Sequence, residues 1–510
     1  RHIDLHALAL SPEPCTVEAN GAISATVNPS ARRYGATLRL DEAYYRRLSG
    51  TIVLNDVDAV FSSADSLTTL RLDNRDLTAT FDSPCGIDTL AERFANTSDI
   101  LAGQMKSFFI DADTLARALP PFRLHLAGGR SNLINDILDA SGMSIRNIEL
   151  SAANDSNLCL NGYVYRLATE SMTLDSIFIN ARGHDEHFHM LAGLRNRPGN
   201  MDQWHSVDLS GRLQGSTVDL GVKQQNLKGK TGFEFGLHAA ADVADSTLVL
   251  NVRPYTPTIG YQRWSVNEDN YISYNMSDRK LDANLRMEGG NSSLAIFMED
   301  APESADSTSL TSSGRVLAVQ LTDIHIQDWI SFNPFAPPMS GDVSADLRLG
   351  RNDGRLVGTG SAGVMNLVYD RRKVADFKAT FDVSASRGGE LTADADLFVD
   401  GTRTVTVRGI INQADSTATS PLALDFSMIK FPLATANPFL PRSAGSLGGT
   451  LNGTLKISGS PDAPVFDGFL AFDQAAATVG MLGTTFTFSD RRIPVVNNMA
   501  TLDTFAITGS

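Results

Sequence analysis

Apolar and polar residues alternate along most of this chain, and this period of two constrains the fold more than any other feature. Residues 281–288 (LDANLRME) place Leu281, Leu285 and Met287 on one side and polar side chains on the other. Such alternation is typical of a β-strand with one buried and one solvated face. Strands buried on both faces would be continuous apolar runs. The sequence therefore predicts a mostly β chain built from one-sided strands.

The same alternation recurs in segments 207–213, 377–383, 393–400, 422–428 and 447–457, and strand-like sequence continues to residue 507. We expect the apolar side chains of the later segments to line one common face. The predicted lining residues are Leu281, Leu285, Met287, Phe377, Phe381, Val383, Leu397, Val399, Leu422, Leu424, Phe426, Leu447, Leu451, Leu455, Ile457, Phe466, Leu470, Phe472, Phe486 and Phe488.

Helical patterns are few and lie close together. Residues 86–105 place apolar side chains at helical spacing along one stripe. Residues 114–119 form a second short pattern that Pro120 and Pro121 end. Residues 131–140 form a third, with Ser131 or Asn132 as the N-cap and Gly142 as the stop. These patterns predict a small helical insert at 86–142.

The remaining chain divides around this insert. We expect a β segment at 1–85, a sheet segment at 143–298, a flexible acidic loop at 299–313, and sheet repeats at 314–436 and 437–510. Asn333-Pro334-Phe335 recurs as Asn437-Pro438-Phe439, and each copy precedes a Gly-initiated alternating strand. The chain begins without Met and ends in strand-like sequence, which indicates a piece of a longer polypeptide.

One apolar face per strand must be covered, and the predicted helices cover only a small part. Roughly two dozen strands at ~4.8 Å each give on the order of 100 Å of sheet. We expect an elongated, curled, antiparallel-rich sheet whose apolar face forms a trough suited to acyl chains. Two architectures remain open as alternatives: a sandwich with a closed dry core, or a β-solenoid, either of which would suit a structural or adhesive surface protein. A third class is a glycan-active enzyme on a β-scaffold, which would need a pocket with convergent polar groups.

Composition excludes several classes of function. The net charge of −15 leaves no basic surplus for binding nucleic acid. Cys15, Cys85 and Cys159 are too few and too widely spaced for a disulfide framework. No run approaches the ~20 apolar residues of a membrane span. We find no pair of carboxylates with a reason for a perturbed pKa, and we predict neither an enzyme nor a cofactor.

Two other motifs have simpler interpretations than an active site. Residues 184–189 (HDEHFH) place His187 and His189 on one strand face, where they could bind a transition metal; a solvated hairpin tip is the simpler interpretation. Residues 358–363 match GxGxxG, but a dinucleotide site requires this motif between a strand and a helix. Strand-like sequence follows it here, so the glycines are expected to serve the sheet.

The C-terminal part resembles the TamB (translocation and assembly module) family of the AsmA-like group. Residues 445–472 (GSLGGTLNGTLKISGSPDAPVFDGFLAF) carry the resemblance through an alternating strand, a Gly-Ser-Pro-x-x-Pro turn and a second strand with Gly468. Residues 261–285, with Trp264 and Asn267, resemble family members of the Bacteroidetes type. The resemblance covers about 143–510, and the helical insert departs from it.

The resemblance implies a β-taco-like groove in the periplasm of a Gram-negative bacterium. It implies an inner-membrane anchor outside this fragment and an outer-membrane partner of the BamA/TamA-like barrel type. The implied activity is transfer of phospholipids between the inner and outer membranes, with support of outer-membrane protein assembly and secretion. These are expectations from the family rather than consequences of the alternation.

Overall fold

The computed structural model describes residues 2–4, 15–47, 50–107, 109–155, 157–169, 173–184, 187–196, 205–242, 244–301, 314–333, 336–352, 355–385, 390–411, 422–441, 445–460, 462–479, 483–502 and 505–509. The chain forms two compact units. Unit 1 comprises residues 1–254 and 275–278, and unit 2 comprises residues 255–274 and 279–510. The predicted acidic loop lies almost entirely outside the described residues.

In its described residues, unit 1 is a run of antiparallel strands interrupted by a 3-10 helix (Pro29–Ala31) and three α-helices. Its last strand continues into unit 2. Its elements are β1 (His2–Asp4), β2 (Cys15–Asn28), β3 (Arg33–Arg47), β4 (Gly50–Ala64), β5 (Leu67–Asn74), β6 (Leu77–Ser83), α1 (Ile87–Ser107), α2 (Ala112–Ala118), β7 (Arg123–Gly128), α3 (Leu133–Asp139), β8 (Asn147–Asn154), β9 (Leu158–Ala168), β10 (Thr173–His184), β11 (His187–Asn196), β12 (His205–Gln214), β13 (Thr217–Asn226), β14 (Thr231–Asp242) and β15 (Thr247–Ile259).

The described part of unit 2 continues in the same manner, with the short helix α4 (Ile326–Trp329) and a 3-10 helix at Leu433–Phe439. Its elements are β16 (Gln262–Arg263), β17 (Ser265–Val266), β18 (Tyr271–Asn275), β19 (Leu281–Gly289), β20 (Ser292–Asp300), β21 (Arg315–His325), α4 (Ile326–Trp329), β22 (Met339–Asn352), β23 (Arg355–Tyr369), β24 (Arg372–Lys373), β25 (Phe377–Ala385), β26 (Leu391–Val399), β27 (Thr402–Ile411), β28 (Leu422–Pro432), β29 (Ser446–Ser460), β30 (Ala463–Val479), β31 (Thr484–Phe488), β32 (Ile493–Val496), β33 (Met499–Ala500) and β34 (Ile507–Gly509).

The predicted fold class is confirmed. Strands make up 70% of the described residues and helices 11%, in a long, open antiparallel sheet with few helices. The successive strands pair with their neighbours along the chain, as in β12 with β13 and β26 with β27. The β-solenoid alternative requires parallel ladders, whereas the strand pairs of the described residues run antiparallel.

The three helices of unit 1 match the three predicted patterns within a few residues. At α2, the Asp111 side chain accepts the Thr114 amide at 3.0 Å, the N-cap arrangement that satisfies a free helical N–H. At α3, Asn132 accepts the amides of Ile134 and Asn135, so Asn132 rather than Ser131 is the cap. The six-residue strand β7 lies between these helices, where the sequence patterns predict no strand.

Short turns of helix precede the strands of the Asn-Pro-Phe repeat in unit 2. Residues Leu433–Phe439 form a 3-10 turn before β29. The Arg372 guanidinium donates to the carbonyl oxygens of Asn437, Pro438 and Leu440 at the end of this turn. In the first copy α4 precedes β22, while Pro334 and Phe335 lie outside the described residues.

Candidate functional site

The predicted apolar face of unit 2 is organised as rows that cross the strands. Directly paired residues of antiparallel strands point to the same face, so a chain of pairs traces one line across the sheet. The central row of unit 2 starts in β19 and ends in β32. It consists of Leu285, Ile296, Val319, Leu347, Gly360, Phe381, Ala395, Val407, Phe426, Leu455, Gly468 and Val495. Every member is apolar or glycine.

Two further rows flank the central row, two residues away along each strand. The first flanking row consists of Met287, Leu294, Leu321, Ala345, Ala362, Ala379, Leu397, Val405, Met428, Gly453, Leu470 and Ile493. The second consists of Met298, Leu317, Leu349, Gly358, Val383, Ala393, Gly409, Leu424, Ile457 and Phe466.

Most predicted lining residues fall in these three rows, and the others pair outside them. Phe377 pairs with Val399, and Leu451 pairs with Phe472. Leu447 pairs with Ala477, which pairs with Phe486. The rings of Phe472 and Phe488 stack with centroids 5.2 Å apart. Leu281 pairs with Tyr274 and Leu422 with Ile411.

The rows of unit 2 are only partly covered. Leu285, Met287, Val399 and Leu422 are buried, at 5%, 1%, 2% and 8% exposure. The other predicted lining residues, including Phe381, Phe426 and Leu455 in the middle of the sheet, are half-buried. The middle of a two-layer core would be the most deeply buried part of the face. The half-buried rows therefore favour an open face over the sandwich alternative.

The opposite face of unit 2 is polar. One row there consists of Arg286, Ala295, Gln320, Asp346, Ser361, Thr380, Asp396, Thr406, Ser427, Thr454 and Phe469. Charges on this face are paired: Arg348 lies 2.6 Å from Asp346, and Arg408 lies 3.0 Å from Asp394. The two faces of the same strands thus differ consistently in chemistry.

Unit 1 has an apolar row of the same kind, which the predicted list of lining residues does not include. The central row of unit 1 runs from β2 to β14. It consists of Ile23, Leu38, Ala59, Leu72, Ala79, Leu126, Leu150, Gly162, Ile179, Ala192, Leu209, Val222 and Phe235. Ile23 is 77% exposed and Leu209 is 45% exposed, so this row is also uncovered in part.

The helical insert lies along one end of the strands of unit 1. The Ile87 amide at the start of α1 donates to Ser63 Oγ in β4 at 2.9 Å. Beyond the end of α1, the Ile110 amide donates to the Gly215 carbonyl between β12 and β13 at 3.1 Å. A helix of 21 residues is about 32 Å long at 1.5 Å per residue. This length is comparable to the distance across the sheet from β4 to β12.

The apolar surface of α1 is only partly buried. Leu90 is buried, whereas Phe94, Leu101 and Met105 lie along an adjoining stripe and are 42%, 39% and 60% exposed. The Phe94 ring centroid lies 6.2 Å from that of Phe122, which stacks on Phe81 at 6.0 Å. Because Phe81 pairs within the apolar face, this exposed stripe adjoins that face.

The metal and dinucleotide motifs have little support as active sites. No group of three or more potential metal ligands occurs among the described residues. The rings of His187 and His189 lie 6.2 Å apart, while Asp185 and Glu186 lie outside the described part. The GxGxxG motif lies inside the long strand β23, without the helix that a dinucleotide site needs. Cys85 and Cys159 are free thiols.

Comparison with family models, with curated proteins and with solved structures found no match for this chain. The resemblance to the TamB family therefore stays an expectation. Among the described helices, none has the length and apolar character needed to cross a membrane.

The missed row of unit 1 has a signal in the sequence. Leu38 and Leu40 flank Arg39, and Leu124 and Leu126 flank His125, which is the same alternation that identifies unit 2. Each of these alternating stretches covers few periods, and the second lies within the predicted insert, so the pattern is weaker there. Placing these residues in one row also requires the register of many strand pairs, which alternation alone does not specify.

Proposed function

We propose that this chain is a non-enzymatic conduit for phospholipids, whose acyl chains lie against the apolar face of the sheet. Following the family resemblance, the conduit would connect the inner and outer membranes across the periplasm, with an inner-membrane anchor outside this fragment. A barrel protein of the outer membrane would be its partner, and outer-membrane protein assembly would depend on the lipid delivered. The observation that carries the proposal is the unbroken, half-exposed central row of each unit.

The energetics support acyl chains as the occupant. Burial of each acyl CH₂ group contributes about 0.8 kcal/mol to the free energy of binding. An apolar row that is still partly exposed to water therefore provides a favourable surface for an acyl chain. The rows run across the strands, so an occupant can move from one strand to the next without meeting a charged side chain. The small residues in the rows, such as Ala395 and Gly453, leave room along the way.

A charge placed on the apolar face tests the proposal. Leu424→Arg puts a guanidinium in the second flanking row, whereas the neighbouring Ala423 points to the polar face and is exposed. We expect Leu424→Arg to reduce co-purified phospholipid several-fold, as measured by mass spectrometry of a lipid extract. Ala423→Arg, the matched control on the same strand, should leave the amount of bound lipid unchanged.

Circular dichroism separates this outcome from unfolding. On an open face the introduced guanidinium can reach water, so Leu424→Arg should keep its strand content. In a closed dry core the same change would bury an unpaired charge and unfold the segment. Wild-type protein that purifies free of lipid from membrane-containing cells, or equal lipid in both variants, would refute the conduit.

A further inference from the structure

A cavity of about 920 Å³ lies on the polar face of unit 1, over β10 to β14. Gly221 and Gly236, which pair directly, form its floor. A Cβ atom at Gly221 would lie 2.7 Å from Ser210 Oγ, and one at Gly236 would lie 2.7 Å from the Leu220 carbonyl oxygen. Neither position has room for a Cβ atom without a shift of its neighbours, so glycine at both positions keeps the floor free of side chains.

Three arginines line the cavity. Arg182 in β10 and Arg212 in β12 pair with His189 in β11 from opposite sides, so the three side chains are neighbours on one face. Arg253 lines the cavity next to Gly236, with its carbonyl oxygen 2.8 Å from the position of a Cβ there. All three arginines are exposed to solvent.

The acidic groups of the cavity already contact other side chains. The pairs are Asp208 with Arg195 at 2.9 Å, Asp219 with His238 at 2.7 Å, and Glu234 with Lys223 at 3.4 Å. Within the described part of the chain, Arg182, Arg212 and Arg253 have no acidic partner and their side chains donate no hydrogen bond. Three positive charges therefore face one cavity in a chain whose net charge is −15.

We propose that this cavity binds a phosphate group, either of a phospholipid head group or of a soluble phosphate ester. The planar guanidinium donates two parallel hydrogen bonds to phosphate oxygens, which makes arginine well suited to such groups. The Asn180 side-chain amide, which also lines the cavity, adds a neutral donor. The cavity lies on the face opposite the apolar rows, so this site does not depend on the conduit.

Calorimetric titration of the full chain tests the site with two probes. One is inorganic phosphate, and the other is dihexanoyl phosphatidylglycerol below its micelle concentration. We expect Arg182→Gln/Arg212→Gln to weaken binding by at least about tenfold, since charge-assisted hydrogen bonds to both arginines are lost. Arg123→Gln is the matched control, because Arg123 lies on the same face but pairs with Asp155 at 2.6 Å outside the cavity.

The outcomes separate the two sources of phosphate. Binding of both probes, reduced in the double variant, identifies a general phosphate site; binding of the lipid alone, equally reduced, identifies a head-group site. No binding by the wild type, or the same affinity in wild type and double variant, would overturn the proposal. If circular dichroism shows that the double variant is unfolded, Arg253→Gln alone provides the same comparison.

Discussion

Side-chain amides extend the ladders of this protein where the backbone leaves the sheet. Asn437 Nδ2 donates to the Leu447 carbonyl at 2.9 Å, and the Leu447 amide donates to Asn437 Oδ1 at 2.6 Å. Asn135 makes the same two bonds with Ile145, at 3.1 and 2.8 Å. A primary amide offers one donor and one acceptor side by side, as a peptide group does. Each asparagine therefore acts as one additional rung.

Removing the Asn437 rung should loosen the start of β29. Asn437→Ala leaves the Leu447 N–H and C=O without these partners, which costs about 1–3 kcal/mol for buried groups. Hydrogen exchange should show faster exchange of the Leu447 amide. Asn291→Ala is the control, since Asn291 is exposed and its side chain has no hydrogen bond within the described chain; equal exchange in both variants would exclude the rung.

At the scale of elements, the periodicity of apolar residues predicts most of the helices and strands. The alternation of residues 281–288 and 393–400 corresponds to β19 and β26, and the helical spacing of 86–105 corresponds to α1. The strand β7 escapes prediction because its alternation spans only Leu124 and Leu126 between two helical patterns. Short elements carry too few periods to be distinguished from their surroundings.

The two stripes of α1 should respond differently to truncation. Leu90 is 2% exposed and Leu101 is 39% exposed. Leu90→Ala leaves a cavity beside the helix, and we expect a local loss of about 2–4 kcal/mol. In contrast, Leu101→Ala should change stability little, because water already contacts that side chain.

Hydrogen exchange of the α1 amides measures the difference between these variants. The amides of α1 should lose protection in Leu90→Ala and keep it in Leu101→Ala. Equal protection in the two variants would mean that the helix is held by its ends alone, at Ser63 and Gly215, rather than by its buried stripe.

At the scale of the whole molecule, the apolar rows depend on register, which the sequence does not specify. A slip of one residue in a single pairing would turn that strand's apolar side chains to the polar face. Between Gly448 and Thr450 the register of β29 shifts, and Gly449 adopts a φ of 81°. Simple alternation from Leu447 to Leu451 ignores this bulge. The sequence therefore identifies which residues belong to the candidate face, but not which of them are neighbours across the strands.

Uncovered rows should make the native chain bind apolar probes. We expect an environment-sensitive dye such as anilinonaphthalene sulfonate to bind without denaturant, because half-buried apolar side chains form a continuous surface. Short-chain phospholipid should displace it, and Leu424→Arg should lower the number of dye molecules bound. Fluorescence titration measures both the displacement and the number of dye molecules bound. If the native chain does not bind the dye, the apolar rows are closed to solvent.

The crossing rows have a consequence for how such a protein can change length. Each strand adds a single residue to every row, and a hairpin adds two strands without reversing the direction of the next one. Inserting or deleting a whole hairpin would therefore change the span in steps of roughly 10 Å while both faces keep their chemistry. Duplication of a hairpin within the gene would therefore lengthen such a sheet without changing the alternation on which both faces depend.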